Sequence, residues 1–155
     1  MIFDSPMLVE EEKRLYFEGI ELFNGQHYFD AHEAWENIWH YAGGLKKDFY
    51  QGMIQAAVAL EHYRRSNPRG VVSLHRSCHR RLAGVPAVCM GLDVPRFLCD
   101  MEQVLRPVVS ADPLPGRGEI HLDVSLAPRI CLAYDPFENG EAERLGRISA
   151  AAGRR

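Results

Sequence analysis

The chain has 155 residues, 46% of them hydrophobic and 25% charged, which fits one soluble globular domain with an ordinary hydrophobic core. A formal net charge of −3 argues against a general nucleic-acid binder, which carries a strong basic excess. The N-terminal stretch turns acidic before the apolar core of a signal peptide can form, and no apolar run approaches the roughly 20 residues that span a membrane.

The four cysteines, Cys78, Cys89, Cys99 and Cys131, form no C-x-x-C pair and no compact framework, so a reduced, cytoplasmic setting is expected. Cys78 and Cys99 fall in helical apolar patterns, where a free thiol behaves as a small hydrophobe.

Five helices can be read in chain order. Ser5-Pro6 reads as an N-cap and first-turn proline, and Glu10 to Glu12 suit the positive end of the first helix. Leu8, Leu15, Tyr16, Gly19, Ile20 and Phe23 form its apolar stripe, and Asn24-Gly25 ends it with residues that tolerate a left-handed backbone. The second helix runs from about Tyr28 to Tyr41 and breaks at Gly43-Gly44.

The third, from about Lys47 to Arg65, is apolar around much of its circumference and is expected to be central. Asn67-Pro68 caps a fourth with the stripe Val71, Leu74, Cys78 and Leu82. Asp93 caps a fifth, with Pro95 in its first turn and Val94, Phe97, Leu98, Met101 and Leu105 inward. The arginines of the third and fourth helices (Arg64, Arg65, Arg69, Arg76, Arg80, Arg81) read as solvated helix faces rather than a basic patch.

After Pro107 the composition changes, and Pro113, Pro115, Gly116 and Gly118 preclude a helix. Residues Ile120 to Leu126 alternate apolar and polar, the mark of an extended half-buried segment. With no second strand to pair with, it reads as an arm laid across the helices or an edge exchanged with another subunit in a homo-oligomer. The expected fold is all-α: a compact bundle of about five helices over residues 1–109, with an irregular, partly extended C-terminal arm over 110–138 on the same domain. A flexible tail is expected over 139–155.

The segment most suggestive of function is N-G-Q-H-Y-F-D-A-H-E-A-W-E-N-I-W. Helical spacing puts His32 and Glu36 one turn apart on a stripe shared with Tyr28, Phe29, Trp35 and Trp39, so an imidazole and a carboxylate are expected to be embedded in an apolar face. Burying such groups is costly unless they are paired or bind something. On the third helix Gln51, Gln55 and His62 share a stripe beside Gly52 and Ala59. Facing one another, the two helices would present His32, Glu33, Glu36, Gln51, Gln55 and His62 to a cleft walled by Trp35, Trp39 and Tyr28. Such a cleft suits a small-molecule ligand.

His32, Glu36 and His62 could also ligate a divalent metal, although H-E-x-x-H is not satisfied because Glu36 stands where the second histidine belongs. The competing reading is a buried network that only fixes helix register. His75, Cys78 and His79 form a second candidate ligand set, more simply read as one core cysteine and two partly exposed histidines. Gly43-Gly44-Leu45-Lys46-Lys47 resembles a phosphate loop in composition only and reads as a helix connection. No nucleophile elbow or Rossmann fingerprint is present, and the sequence specifies no reaction. For acid–base work, Glu36 in an aromatic setting could share a proton with His32.

The stretch F-E-G-I-E-L-F-N-G-Q-H-Y-F-D-A-H-E-A-W-E-N-I-W, followed by F-Y-Q-G-M-I-Q-A-A-V-A-L-E-H-Y-R-R-S-N-P-R-G, resembles the prokaryotic family catalogued as domain of unknown function 309. The similarity covers roughly Leu15 to Leu82. The resemblance implies a compact, all-helical fold and puts the family's signature polar positions on His32, Glu33, Glu36, Gln51, Gln55, His62 and Asn67. It implies no established activity. An alternative use of the chain is as a helical protein-interaction module: Gly19, Phe29, Ala31 and a short Asn-Gly turn are of the general kind found in tetratricopeptide hairpins, but no 34-residue period follows.

Overall fold

Glutamates at positions 10 to 12 open α1 (Val9–Asn24), with Leu8 at the N-cap position making no side-chain hydrogen bond. The structure, a computed structural model, describes residues 7–146; Ser5-Pro6 lies outside them, and α1 starts at Val9, later than a Ser5 cap would place it, with Leu8 exposed instead of on the buried stripe. Helix α1 ends where the Gly25 N–H bonds the Glu21 carbonyl at 2.9 Å. The left-handed residue of this turn is Gln26, with φ of 66°, and not Asn24 or Gly25 as their residue types predict.

Helix α2 (Tyr28–Trp39) follows and buries Tyr28, Ala31, Ala34, Trp35 and Ile38. Helix α3 (Gly44–Arg64) begins three residues before the expected Lys47. It is buried over more than half its circumference and packs on both α2 and α4, which confirms its central place.

Helix α4 (Pro68–Leu82) starts as expected from Asn67, whose side chain accepts from the Gly70 N–H. Helix α5 (Val94–Val109) starts from Asp93, which accepts from the Arg96 N–H at 3.1 Å. Between α4 and α5 lies a hairpin that periodicity does not reveal, because each strand has two residues: β1 (Val88–Cys89) and β2 (Leu92–Asp93), antiparallel with Cys89 opposite Leu92. Met90 and Gly91 make its turn with φ of 53° and 79°, the paired positive values that suit the twist of a tight hairpin.

Two glycines set helix spacing. A Cβ on Gly19 would lie 2.1 Å from the Trp35 indole nitrogen, and one on Gly52 would lie 2.5 Å from the Leu82 side chain. Bare backbone at these points lets α2 approach α1, and α4 approach α3, with large side chains filling the seams.

Helix α5 runs through Pro107 to Val109, the end of the expected helical region; near a C-terminus the lost N–H costs only one of the last ladder bonds. Beyond it the expected extended segment is corrected. The alternating segment forms no strand. Ile120 is buried, but Val124–Leu126 closes into a 3-10 turn, because the Asp123 carboxylate accepts from the Ser125 N–H and hydroxyl. Such local side-chain bonds compete with extended pairing.

Further on, the arm is gripped by Asn24, whose amide donates to the Ile130 carbonyl at 2.9 Å and accepts from its N–H at 2.7 Å. Within the expected tail, α6 (Glu141–Arg144) buries Glu141 and Ala142. The remainder of the expected tail, 147–155, lies outside the described residues. Cys78 is buried as expected, whereas Cys99 is exposed, since α5 buries the arc of Phe97, Met101 and Leu105 instead. No helix among the described residues is long and apolar enough to cross a membrane.

Candidate functional site

His32 sits at the margin of the buried arc of α2. Its Nδ1 lies 2.8 Å from the Phe29 carbonyl, and a carbonyl only accepts, so Nδ1 carries the proton. The other nitrogen, Nε2, is directed toward Glu36 Oε1 at 3.8 Å. The Phe29 ring lies against the imidazole at a tilt of 59°, with centroids 5.0 Å apart. A histidine held by a backbone carbonyl with its second nitrogen free is the arrangement that orients imidazoles for ligand contact. The expected embedding holds for His32, whose side chain is 17% exposed, but not for Glu36 at 46%. Helix α2 turns Trp35 and Ile38 to the core, which leaves Glu36 on the wet edge. Glu33 is exposed and lies farther round.

Helix α3, which packs on α2, carries a half-buried stripe of Gln51, Ile54, Gln55, Val58 and His62, at three- and four-residue spacing. Trp39 is half-buried, with Lys47 Nζ 4.6 Å from its ring centroid. On these two helices Tyr28 Oη, Trp39 Nε1 and Gln55 Oε1 are shielded from solvent without a hydrogen-bond partner among the described residues. Burial pushes the Tyr28 hydroxyl up to about 12, so it stays protonated.

His62 has a different neighbourhood. The Asn67 side chain lies 3.0 Å from His62 Nδ1, and its oxygen accepts from the Gly70 N–H at 3.4 Å. That cap fixes the amide orientation and leaves its NH2 to donate, so Nδ1 accepts and the ring is neutral. Burial lowers the His62 pKa, Glu61 works against this, and Arg117 and Arg65 reinforce it. A Cβ on Gly70 would lie 2.4 Å from the ring. His62, Asn67 and Gly70 thus form the α3–α4 corner.

The structure therefore brings His32 beside Glu36 and bonds His62 to Asn67. Among the described residues no three His, Cys, Asp or Glu side chains lie close enough together to hold a metal ion; the set His32, Glu36, His62 is not assembled as a metal centre. Nor is His75, Cys78, His79, because Cys78 is buried in the core and its thiol is pushed to about 12 by burial.

A buried charged network escapes the sequence reading. Glu12, assigned there to the helix dipole, is 2% exposed, as is Lys46. Lys46 Nζ lies 3.1 Å from Glu12 Oε1, and the Tyr50 hydroxyl donates to Oε2 at 2.7 Å. Lys46 thus turns inward, and the glycines before it lead into α3 rather than a phosphate loop. Nearby, the Met90 N–H donates to Glu141 Oε2 at 2.7 Å and the Tyr134 hydroxyl donates to Oε1 at 2.5 Å. Tyr16 and Tyr50 are raised well above 10, first by burial and then by neighbouring ionisable groups. Glu12 had one legible signal, since it falls on the stripe of Leu8, Leu15, Tyr16 and Gly19. Glu141, in a segment poor in large apolar residues, had none.

The family model described as "Domain of unknown function (DUF309)" matches residues 16–74, which run from α1 into α4 and contain every candidate residue on α2 and α3. That segment is similar to the family. The chain is also similar to an uncharacterized protein of Aquifex aeolicus (strain VF5), 26% identical over 98 residues. That alignment takes in 63% of this chain but only 29% of the relative's own length, so the chain spans well under half of that protein.

Within the DUF309-like segment several motif residues have architectural explanations. Gly19 makes room for Trp35, whose Nε1 donates to the Tyr16 carbonyl at 3.3 Å. His62, Asn67 and Gly70 build the α3–α4 corner. His32, Glu33, Glu36, Gln51 and Gln55 have no such explanation in the fold.

Proposed function

We propose that the DUF309-like segment is a small-molecule binding module, with its site along the facing edges of α2 and α3. The observation that supports it best is the set of shielded polar atoms without partners, Tyr28 Oη, Trp39 Nε1 and Gln55 Oε1, on those two helices. A buried polar atom left unpaired costs about 1–3 kcal/mol, which favours a polar ligand along this edge; Tyr28 and Trp39 lie about 16 Å apart along α2, so one small ligand would reach only part of the set. His32 Nε2, the Glu36 carboxylate and Gln55 Oε1 accept hydrogen bonds, so the ligand class they fit is a donor-bearing molecule such as a small primary amine or amide. Gln51 and Trp39 would flank it.

The test is an NMR titration of the full chain with a panel of primary amines and amides, and in parallel with Zn2+. Saturable shifts confined to residues 28–39 and 51–58, lost in His32→Ala, are expected with the organic panel. Shifts with Zn2+ alone would replace this reading with a metal site. Shifts scattered over the surface, or none, would reject both and leave the polar residues as structural.

A further inference from the structure

A groove of about 500 Å³ lies between α4 and the C-terminal part of α5, lined by Val72, His75, Arg76, His79, Arg80 and Val109. Its volume falls within the usual range of small-ligand sites, roughly 300–1,000 Å³. Its chemistry is one-sided. Helix α4 carries Arg69, Arg76, Arg80 and Arg81 and no acidic residue, although the whole chain has a net charge of −3. Arg81 is neutralised by Asp48 at 2.9 Å. Arg76 and Arg80 have no carboxylate within ion-pair distance among the described residues.

They stand one turn apart, with His79 beside them and its ring centroid 6.4 Å from that of His75. His75 Nδ1 is shielded and has no hydrogen-bond partner among the described residues. Val72 and Val109 supply an apolar floor beside this cationic wall. Glu102 is the acidic group that faces His75 from α5. It pulls the imidazole pKa up, against burial, which dominates and lowers it, and against His79.

We propose that this groove binds the phosphate group of a small phosphate monoester, with Arg76, His79 and Arg80 on the phosphate and the organic part on Val72 and Val109. Planar guanidinium groups match phosphate oxygens bidentately, and two of them one turn apart can grip one phosphate from adjacent sides. The apolar floor would contribute nothing to inorganic phosphate but would favour an ester with a carbon body. The site shares no residue with the α2–α3 edge and is independent of the function proposed for it.

Calorimetric titration of the full chain with phenyl phosphate and with inorganic phosphate tests this. Phenyl phosphate is expected to bind saturably and at least about fivefold more tightly than inorganic phosphate. Arg76→Gln/Arg80→Gln, with its fold checked by circular dichroism and a single-residue Arg76→Gln variant as a second measure, should weaken binding at least about tenfold. His32→Ala should leave it unchanged. Absence of saturable binding, equal affinity for the two probes, or binding that survives both arginine variants would overturn the proposal. So would association with phosphatidic acid vesicles alone, since the groove would then serve a lipid surface rather than a free ester.

Discussion

Asn67 holds His62 with one end of its side-chain amide and caps α4 with the other, donating to Nδ1 at 3.0 Å while accepting from the Gly70 N–H at 3.4 Å. Because the cap decides which end faces the ring, a helix start dictates a histidine tautomer. Asn67→Asp preserves the cap but faces the ring with an acceptor only, which favours the imidazolium. In NMR pH titrations His62 should titrate below 6.5 in the natural chain, as its burial demands, and above 6.5 in the variant. An unchanged His62 curve would show that Asn67 does not control the ring.

The same shift fixes a stability trend. A histidine whose pKa is lower in the folded than in the unfolded chain contributes fully above about 6.5, where both forms are neutral. That contribution is lost as pH falls toward the folded value, because the unfolded chain takes up the proton first. His62 and His75 are both lowered by burial. Urea midpoints should therefore decline as pH drops below 6.5. In Asn67→Asp the His62 part should reverse sign, present at low pH and lost as pH rises through the new value.

Tyr28→Phe removes a shielded hydroxyl without a partner and leaves the ring that packs on Phe23 at 5.4 Å. Thermal denaturation should show stability unchanged or raised by about 1 kcal/mol, with weaker ligand binding at the α2–α3 edge. A loss of 2 kcal/mol or so would mean that the hydroxyl is satisfied in solution and would weaken the proposed function.

Gly19→Ala should be severe for its size. The new methyl would meet the Trp35 indole at 2.1 Å, and that ring is fully buried, so α1 and α2 must separate. Overpacking of this kind costs about 1–3 kcal/mol or more. Melting that matches the natural chain would show the seam to be far softer than its packing implies.

Glu12 and Lys46 form an ion pair with both side chains almost wholly buried. Lys46→Met or Glu12→Leu alone leaves an unpaired charge in the core and should cost about 3–5 kcal/mol, whereas the double variant should cost less than either. Denaturant melts of the three variants form a double-mutant cycle, and additive losses would deny the coupling.

Helices α1 to α5 were legible from apolar periodicity, and α4 and α5 from their caps as well. Asn67 and Asp93 announce α4 and α5 by residue type, and both act as read. The proximity of His32 to Glu36 followed from spacing on a single helix. The partner of His62 did not, since a corner bond to Asn67 depends on how the chain turns after Ser66, and a stripe on α3 points as well to α4 as to α2. The hairpin around Met90-Gly91 was too short to carry a period. Glu12 read as a surface acid because its partner Lys46 is remote in the chain and looked like part of a loop.

Glu141 takes a hydrogen bond from the Met90 N–H and another from the Tyr134 hydroxyl, so the last described turn works as a rivet through the hairpin. A chain trimmed back to residue 138 would take away the acceptor that the Met90 N–H and the Tyr134 hydroxyl share. Shortening this end would therefore loosen the hairpin that links α4 to α5, and with it one end of the molecule rather than a dispensable extension.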